Sequence, residues 1–377
     1  MHSHSRRRFL GQALGAALLE RAALRAARAR TKAAAALPTL FDIEIVAEGI
    51  YAAVARPSAL INCNAVIFEN ANDLMIVDTH SKPSAVVSLV SQIRREITTK
   101  PIRYIVNTHF HWDHTQGTPS YKKIAPRADV VSSTATRSLI AEFGAASLEA
   151  SLEQIPKTLE RYRKQLEAAR TPEEKAHYKR MIEETREYGR ELLAYKPELP
   201  NVTFSDDLVL HDKAHDLHLA FRGRGHTAGD IVVFCPQKKV LASGDLAHSF
   251  FPYIGDGYPR EWPHTLRSIG EFEFTHVIGG HGPVQQGRDR LDQMAAYIEE
   301  LTSAVEEGKR EGRTVEELAR AITPARLKSL RNGGYGEFIA ECTKRGDAES
   351  FLKPPAEILA EGVRSNVASI YHSLERA

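Results

Sequence analysis

The 377-residue chain has only three cysteines, Cys63, Cys235 and Cys342. They lie far apart, are odd in number and form no Cys-x-x-Cys pair, which argues against a disulfide framework or a cysteine-built zinc site. Cys63 and Cys235 fall in strand-like runs, where a small buried thiol is the simplest reading. Charge of one sign is also lacking, because 50 Lys and Arg against 48 Asp and Glu leave a formal net charge of +2. Such a balance builds no large cationic field, so a nucleic-acid partner gains no support. No apolar run reaches the roughly 18–20 residues that a membrane span requires. No internal repeat stands out, and no low-complexity segment lies beyond the N-terminus. With 42% hydrophobic and 26% charged residues, the composition suits one large α/β domain with an appendage.

The N-terminus carries its own signal. Residues 5–10 read Ser5-Arg6-Arg7-Arg8-Phe9-Leu10, followed by a short apolar stretch from Leu10 to Leu19 and small-residue cleavage candidates near Ala27 and Ala29. Paired arginines before Phe-Leu resemble a twin-arginine export signal, an address rather than an anchor. Residues 1–32 are therefore expected to be removed on export to the periplasm; a chain without a working signal would stay cytoplasmic.

Strand signals follow in quick succession: Phe41–Val46, Ile50–Ala55, Asn64–Glu69 and Leu74–Val77, separated by turn residues. Val86, Val87, Leu89, Val90, Ile93 and Ile97 mark one face of a helix from about Pro83 to Ile97. Ile102–Asn107 reads as a short buried strand. Residues 136–197 then turn rich in Glu, Arg, Lys, Leu and Ala. Two antiparallel helices are expected there, at roughly 146–169 and 172–194. The second opens on Thr171-Pro172-Glu173-Glu174, a capping box with proline at the first helical position. Their charges read mainly as a solvated face, although such an insertion could also roof an active site. Strands resume at Val202–Phe204, Leu208–Leu210, Leu217–Phe221, Ile231–Cys235 and Val240–Ser243. A helix near Trp262–Ile269 and a strand at Thr275–Ile278 complete the pattern. The remainder is largely helical, with a second capping box at Thr314–Glu317.

Several of the 16 histidines are spaced like metal ligands. Asn107-Thr108-His109-Phe110-His111-Trp112-Asp113-His114-Thr115-Gln116-Gly117 directly follows a strand. His109 and His111 are two residues apart and can point the same way. Three imidazoles and a carboxylate within six residues are costly to bury unless they share a cation. Other histidines read more plainly: His211, His215 and His218 as exposed, and His248, His264 and His276 as surface residues or supports of a site. Tyr253 and Tyr258 lie in a Gly/Pro-rich stretch where they either line a pocket or simply pack.

The segment is similar to the H-x-H-x-D-H motif of the metallo-β-lactamase superfamily, and four further segments over roughly residues 40–290 resemble that family's remaining motifs. These are Val77-Asp78-Thr79-His80, Gly225-His226-Thr227-Ala228-Gly229-Asp230, Ser243-Gly244-Asp245 and Gly279-Gly280-His281-Gly282. The resemblance implies an α/β fold: an αββα sandwich of two mixed β-sheets flanked by helices over 40–290. A helical-hairpin insertion at about 137–197 and a helical C-terminal extension over 291–377 are expected in addition. It implies two metal sites, His109, His111 and His226 for the first and Asp113, His114 and His281 for the second, bridged by Asp245. Asp78 would be the carboxylate that orients a ligand histidine. Two Zn2+ ions are implied, with iron or manganese compatible with the same donors.

The ligand set resembles that of glyoxalase II and the lactonases. In the familiar zinc β-lactamases a cysteine stands where this chain has Asp245. The reaction implied is hydrolysis of an ester, thioester, lactone or lactam by a metal-bridging hydroxide, with Asp113 as the catalytic residue that helps orient it. The partner is then a small-molecule substrate. A mononuclear iron dioxygenase of the persulfide dioxygenase type shares these motifs and stands as the alternative, followed by a non-catalytic metal-binding protein. The insertion and C-terminal extension carry no chemical motif, and their plain role is to stabilise the domain or form a dimer.

Overall fold

The computed structural model describes residues 39–57 and 63–374; the expected export signal lies outside them. Thirteen strands form two sheets among the described residues. The first has the order β1-β2-β3-β4-β5-β6-β7, built from Phe41–Ala47, Ile50–Ala55, Ala65–Glu69, Leu74–Val77, Ile102–Val106, Asp129–Ser133 and Val202–Phe204. Its first four strands run antiparallel, and β4 to β7 pair in parallel. The second has the order β13-β12-β11-β10-β9-β8, from Asp207–Leu210 (β8), Leu217–Phe221 (β9), Ile231–Cys235 (β10), Val240–Gly244 (β11), His276–Gly279 (β12) and Gln285–Gln286 (β13). There only β11 and β12 pair in parallel.

The two sheets face each other across one apolar layer. Ile50, Phe68, Met75 and Val106 of the first meet Leu219, Ile231, Val233 and Ile278 of the second. Helices cover both outer faces, which gives the expected αββα sandwich. On the first sheet lies α1 (Pro83–Glu96), with Pro83 in its first turn, Arg94 and Arg95 in its last, and Val86, Leu89, Val90 and Ile93 buried at helical spacing. On the second lie Trp262 and Leu266 of one helix (Trp262–Ile269) and Tyr297, Leu301 and Val305 of another (Asp289–Arg310), joined by the C-terminal helices. No helix among the described residues is long and apolar enough to cross a membrane.

Residues 134–192 form two packed helices, Thr134–Ala168 and Pro172–Leu192. The first starts well before the position expected from composition, because Ser133 caps it: its Oγ accepts from Thr136 N–H at 3.0 Å. The second carries the expected capping box, with Thr171 and Glu174 satisfying each other's backbone donors. Tyr162, Met181, Ile182, Tyr188 and Leu192 give the pair its own small core, which includes Ala348 from the C-terminal region. The strand at Asp129–Ser133 had no sequence signal. It is short and follows Pro126-Arg127, yet it lies between β5 and β7 with Val130 and Val131 buried. His215 corrects an expectation of exposure. It is buried, with its ring edge-on to Phe68 at 6.3 Å.

Candidate metal centre

The seven histidines and aspartates singled out in the sequence converge at one end of the sandwich. Each follows a strand or strand-loop of one of the two sheets. Parallel strands bring their C-terminal ends to the same side, so β4 delivers Asp78 beside the loop after β5, which carries His109 to His114. In the facing sheet β11 delivers Asp245 beside the loop after β12 that carries His281. His226 comes from the loop between β9 and β10.

Three groups of donor atoms within 4.8 Å of one another result: His109, His111 and His226; His109, His114 and Asp245; and Asp113, His114 and His281. Asp245 faces both halves. Its Oδ2 is 3.6 Å from His226 Nε2 and 3.4 Å from His281 Nε2, and its Oδ1 is 3.3 Å from His114 Nε2. Asp113 Oδ2 lies 3.1 Å from His281 Nε2. Gly280 permits this closeness, since a Cβ there would fall 2.1 Å from Asp245 Oδ1 and 2.6 Å from His114 Cε1.

The outward ring nitrogens explain the aim of these histidines. Thr108 Oγ1 donates to Asp78, so it accepts from His109 Nδ1 at 3.0 Å. His111 Nε2 donates to Asp256 Oδ2 at 3.0 Å, His114 Nδ1 to Asp78 Oδ2 at 2.8 Å, and His226 Nδ1 to the Tyr253 carbonyl at 3.1 Å. In its neutral form each of these four rings thus keeps its lone pair on the nitrogen facing the cluster, the pattern by which proteins orient metal-ligating histidines. His226 Nε2 and His111 Nδ1 consequently face each other at 2.9 Å, two lone pairs that repel unless a cation lies between them. The Nε2 atoms of His109 and His114 and Oδ1 of Asp245 are buried without a hydrogen-bond partner. Such atoms need a partner, and the donor set fits a divalent metal.

Protonation divides the cluster. Burial, then the neighbouring imidazoles, holds His109 well below the ordinary histidine range and His226 at about 3. Burial opposes charge on His281 too, but Asp245 and Asp113 outweigh it and hold its proton to about 10. His114 is likewise raised, by Cys63, Asp245, Asp113 and Asp78 against its burial. Burial pushes the Asp113 and Asp245 carboxyls up, but the histidines around them win and keep both well below the usual carboxylate range.

Cys63 also reaches this region, grouped with Asp78 and His114. Burial pushes its thiol up to about 12, and His114 Nδ1 is already committed to Asp78, so it makes a poor ligand. Asp78 and His80 turn the chain with φ of 65° and 68°, a left-handed conformation rare outside glycine and frequent at functional sites. Asp256 and the Tyr253 carbonyl escaped the sequence reading, because they sit in an irregular loop with no periodicity. His248 is buried at the site, whereas His264 is exposed. Tyr258 packs under the Arg224 guanidinium, 4.2 Å above its ring.

A cavity of about 700 Å³ opens over the cluster. The helical insertion contributes Ile140, Phe143 and Tyr195 to its wall, and the C-terminal region contributes Thr343, Asp347 and Glu349. These two parts meet where the Arg161 guanidinium and the Tyr162 hydroxyl both donate to Glu349 Oε1.

The two-sheet frame recurs in a metallo-β-lactamase from Pontibacter korlensis, with 17% identity and a TM-score of 0.50 over 69% of this chain and 99% of that one. The DIM-1 metallo-β-lactamase matches over 69% of this chain and 97% of its own, at 19% identity and a TM-score of 0.49. At such identity only the fold is shared. The family model described as the metallo-β-lactamase superfamily matches residues 59–285, more than half of the chain, and its span includes every residue of the His/Asp cluster. This chain therefore belongs to the metallo-β-lactamase superfamily.

Proposed function

We propose that the protein is a dinuclear zinc hydrolase of an ester, thioester, lactone or lactam, with a glyoxalase II-like ligand set. His109, His111 and His226 would hold one ion, Asp113, His114 and His281 the other, and Asp245 would bridge them. The observation that carries this reading is the position of Asp245, whose two carboxylate oxygens reach donors of both groups. Zinc ions bound there supply a water ionised near neutral pH and a Lewis acid for the carbonyl oxygen.

The chain's own residues do the rest. Asp113 stays ionised, so its oxygen can accept a hydrogen bond from the attacking water and fix its direction. Thr108, Asp78, Asp256 and the Tyr253 carbonyl hold four imidazoles in the donor orientation before any ion arrives, which limits reorganisation. His248 is buried on the cavity wall. Phe250 N–H donates to its Nδ1 at 3.1 Å, so its proton sits on Nε2, an atom without a partner among the described residues. The insertion and the C-terminal region wall the cavity.

The test combines metal analysis of the purified chain with hydrolysis of a small panel of esters, thioesters and lactones. The reading expects bound zinc and turnover of at least one panel member, abolished by chelation. Zinc binding with no turnover of any would remove the hydrolase assignment.

A further inference from the structure

Resting on that hydrolase reading, we infer that the substrate is an uncharged ester or lactone with an aromatic or bulky apolar body and no carboxylate. Two observations carry this. First, among the described residues the exposed large hydrophobic side chains include two aromatic ones, Phe143 at 43% and Tyr253 at 52%, and both line the cavity over the His/Asp cluster. Exposed aromatic surface that converges on one concavity is the usual mark of a ligand site.

The rings form a continuous wall. Phe143 lies 6.1 Å from Phe110, Phe110 lies 4.7 Å from the His111 ring, and Tyr253 lies 5.8 Å from His111 on the far side. At the other half of the cluster Phe250 stacks on His281 at 5.4 Å and 24°. A flat apolar group can therefore be held against either half while a carbonyl reaches the centre. Phe143 belongs to the insertion, so residues 134–192 complete a wall that the sandwich's own loops begin.

The second observation is charge. Among the described residues that line the cavity none is Lys or Arg, whereas Asp256, Asp347 and Glu349 add carboxylates beyond those of the cluster. The nearby Arg161 guanidinium is committed to Glu349. Away from the proposed zinc ions, a carboxylate on the substrate's body would lose its hydration against like charge with no side-chain cation to receive it. An uncharged body of the same size would instead bury its surface on the rings.

The test uses the zinc-loaded full chain and two matched pairs of probes. For turnover, 2-naphthyl acetate is compared with its 6-carboxy analogue. For binding, 2-acetylnaphthalene is compared with 2-naphthoate, read through the fluorescence of Trp112, with Trp112→Phe as the control. Trp112 lines the cavity, and the only other tryptophan, Trp262, is buried in the core.

The uncharged member of each pair should be favoured by about tenfold or more, in kcat/KM and in Kd. Phe143→Ala should raise both the KM and the Kd of the uncharged probes about fivefold and leave kcat unchanged. Equal or better use of the carboxylate probes overturns the inference while leaving the hydrolase reading intact. So does an unaltered Phe143→Ala protein. Selective binding of the ketone with turnover of neither ester has the opposite meaning: the cavity's preference stands and the hydrolase reading falls. Absence of both binding and turnover overturns the inference.

Discussion

The Asp78 carboxylate accepts a hydrogen bond from His114 Nδ1 at 2.8 Å while its other oxygen accepts from the Thr108 backbone N–H at 2.9 Å. One side chain thereby ties β4 to the ligand-bearing loop after β5 and sets the ring of a proposed ligand. Asp78→Asn should weaken metal binding by about ten- to a hundredfold without unfolding the chain. Competition titration with a chromophoric chelator measures this, and an unchanged affinity would show that His114 needs no such support.

Protonation yields a second prediction. His281 holds its proton to about 10 in the metal-free chain, above the ordinary 6.5, and His114 is also raised. A folded-state pKa above the unfolded one stabilises fully below about pH 6.5 and is lost as pH rises towards 10. The metal-free protein should therefore lose stability across that window. Bound metal replaces these protons, so the loaded protein should lack the dependence. Uptake of two ions near pH 7.5 should release about two protons from the Asp113–His114–His281 group, since His109 and His226 are already neutral, and about one more from the ionised water. Calorimetry in buffers of different ionisation heat reads the number; proton-independent uptake contradicts it.

Gly117 closes the motif and gives a packing prediction. A Cβ at this position would fall 1.6 Å from the Thr79 carbonyl oxygen and 2.6 Å from a Val86 methyl. The nearest atom is backbone and cannot swing away. Gly117→Ala should cost about 3 kcal/mol or more. Thermal unfolding checks it, with a wild-type midpoint as the contrary result.

The cluster was legible in the sequence because its chemistry is local. Four donors lie within six residues after one strand, and the others follow strands at short glycine-rich turns. Apolar runs bounded by turn residues likewise exposed most of both sheets. What was not legible depends on packing between distant segments. Asp256 meets His111 across 145 positions, and nothing in its loop marks it. His215 is buried because Phe68 of the opposite sheet covers it. The start of the first insertion helix was hidden because the Ala- and Glu-rich run gave no boundary, while Ser133 sits at the end of an unrecognised strand. That the insertion and the C-terminal region enclose one cavity could not be read from either alone.

Their junction is itself testable. Glu349 receives both Arg161 and Tyr162. Glu349→Gln should lower stability by about 1–2 kcal/mol, the scale of a hydrogen bond to a partly buried charge. Urea unfolding measures the loss, and unchanged stability would mean that this clasp carries no energy.

The central claim is a bridged pair of metal ions, and the most direct measurement is the number of metal equivalents per chain. Elemental analysis combined with native mass spectrometry should find two zinc ions in the wild-type chain and fewer than two in Asp245→Ala, with ester hydrolysis lost in step. A single tightly held ion in the wild-type chain, unaffected by Asp245→Ala, would contradict the account and favour a mononuclear centre.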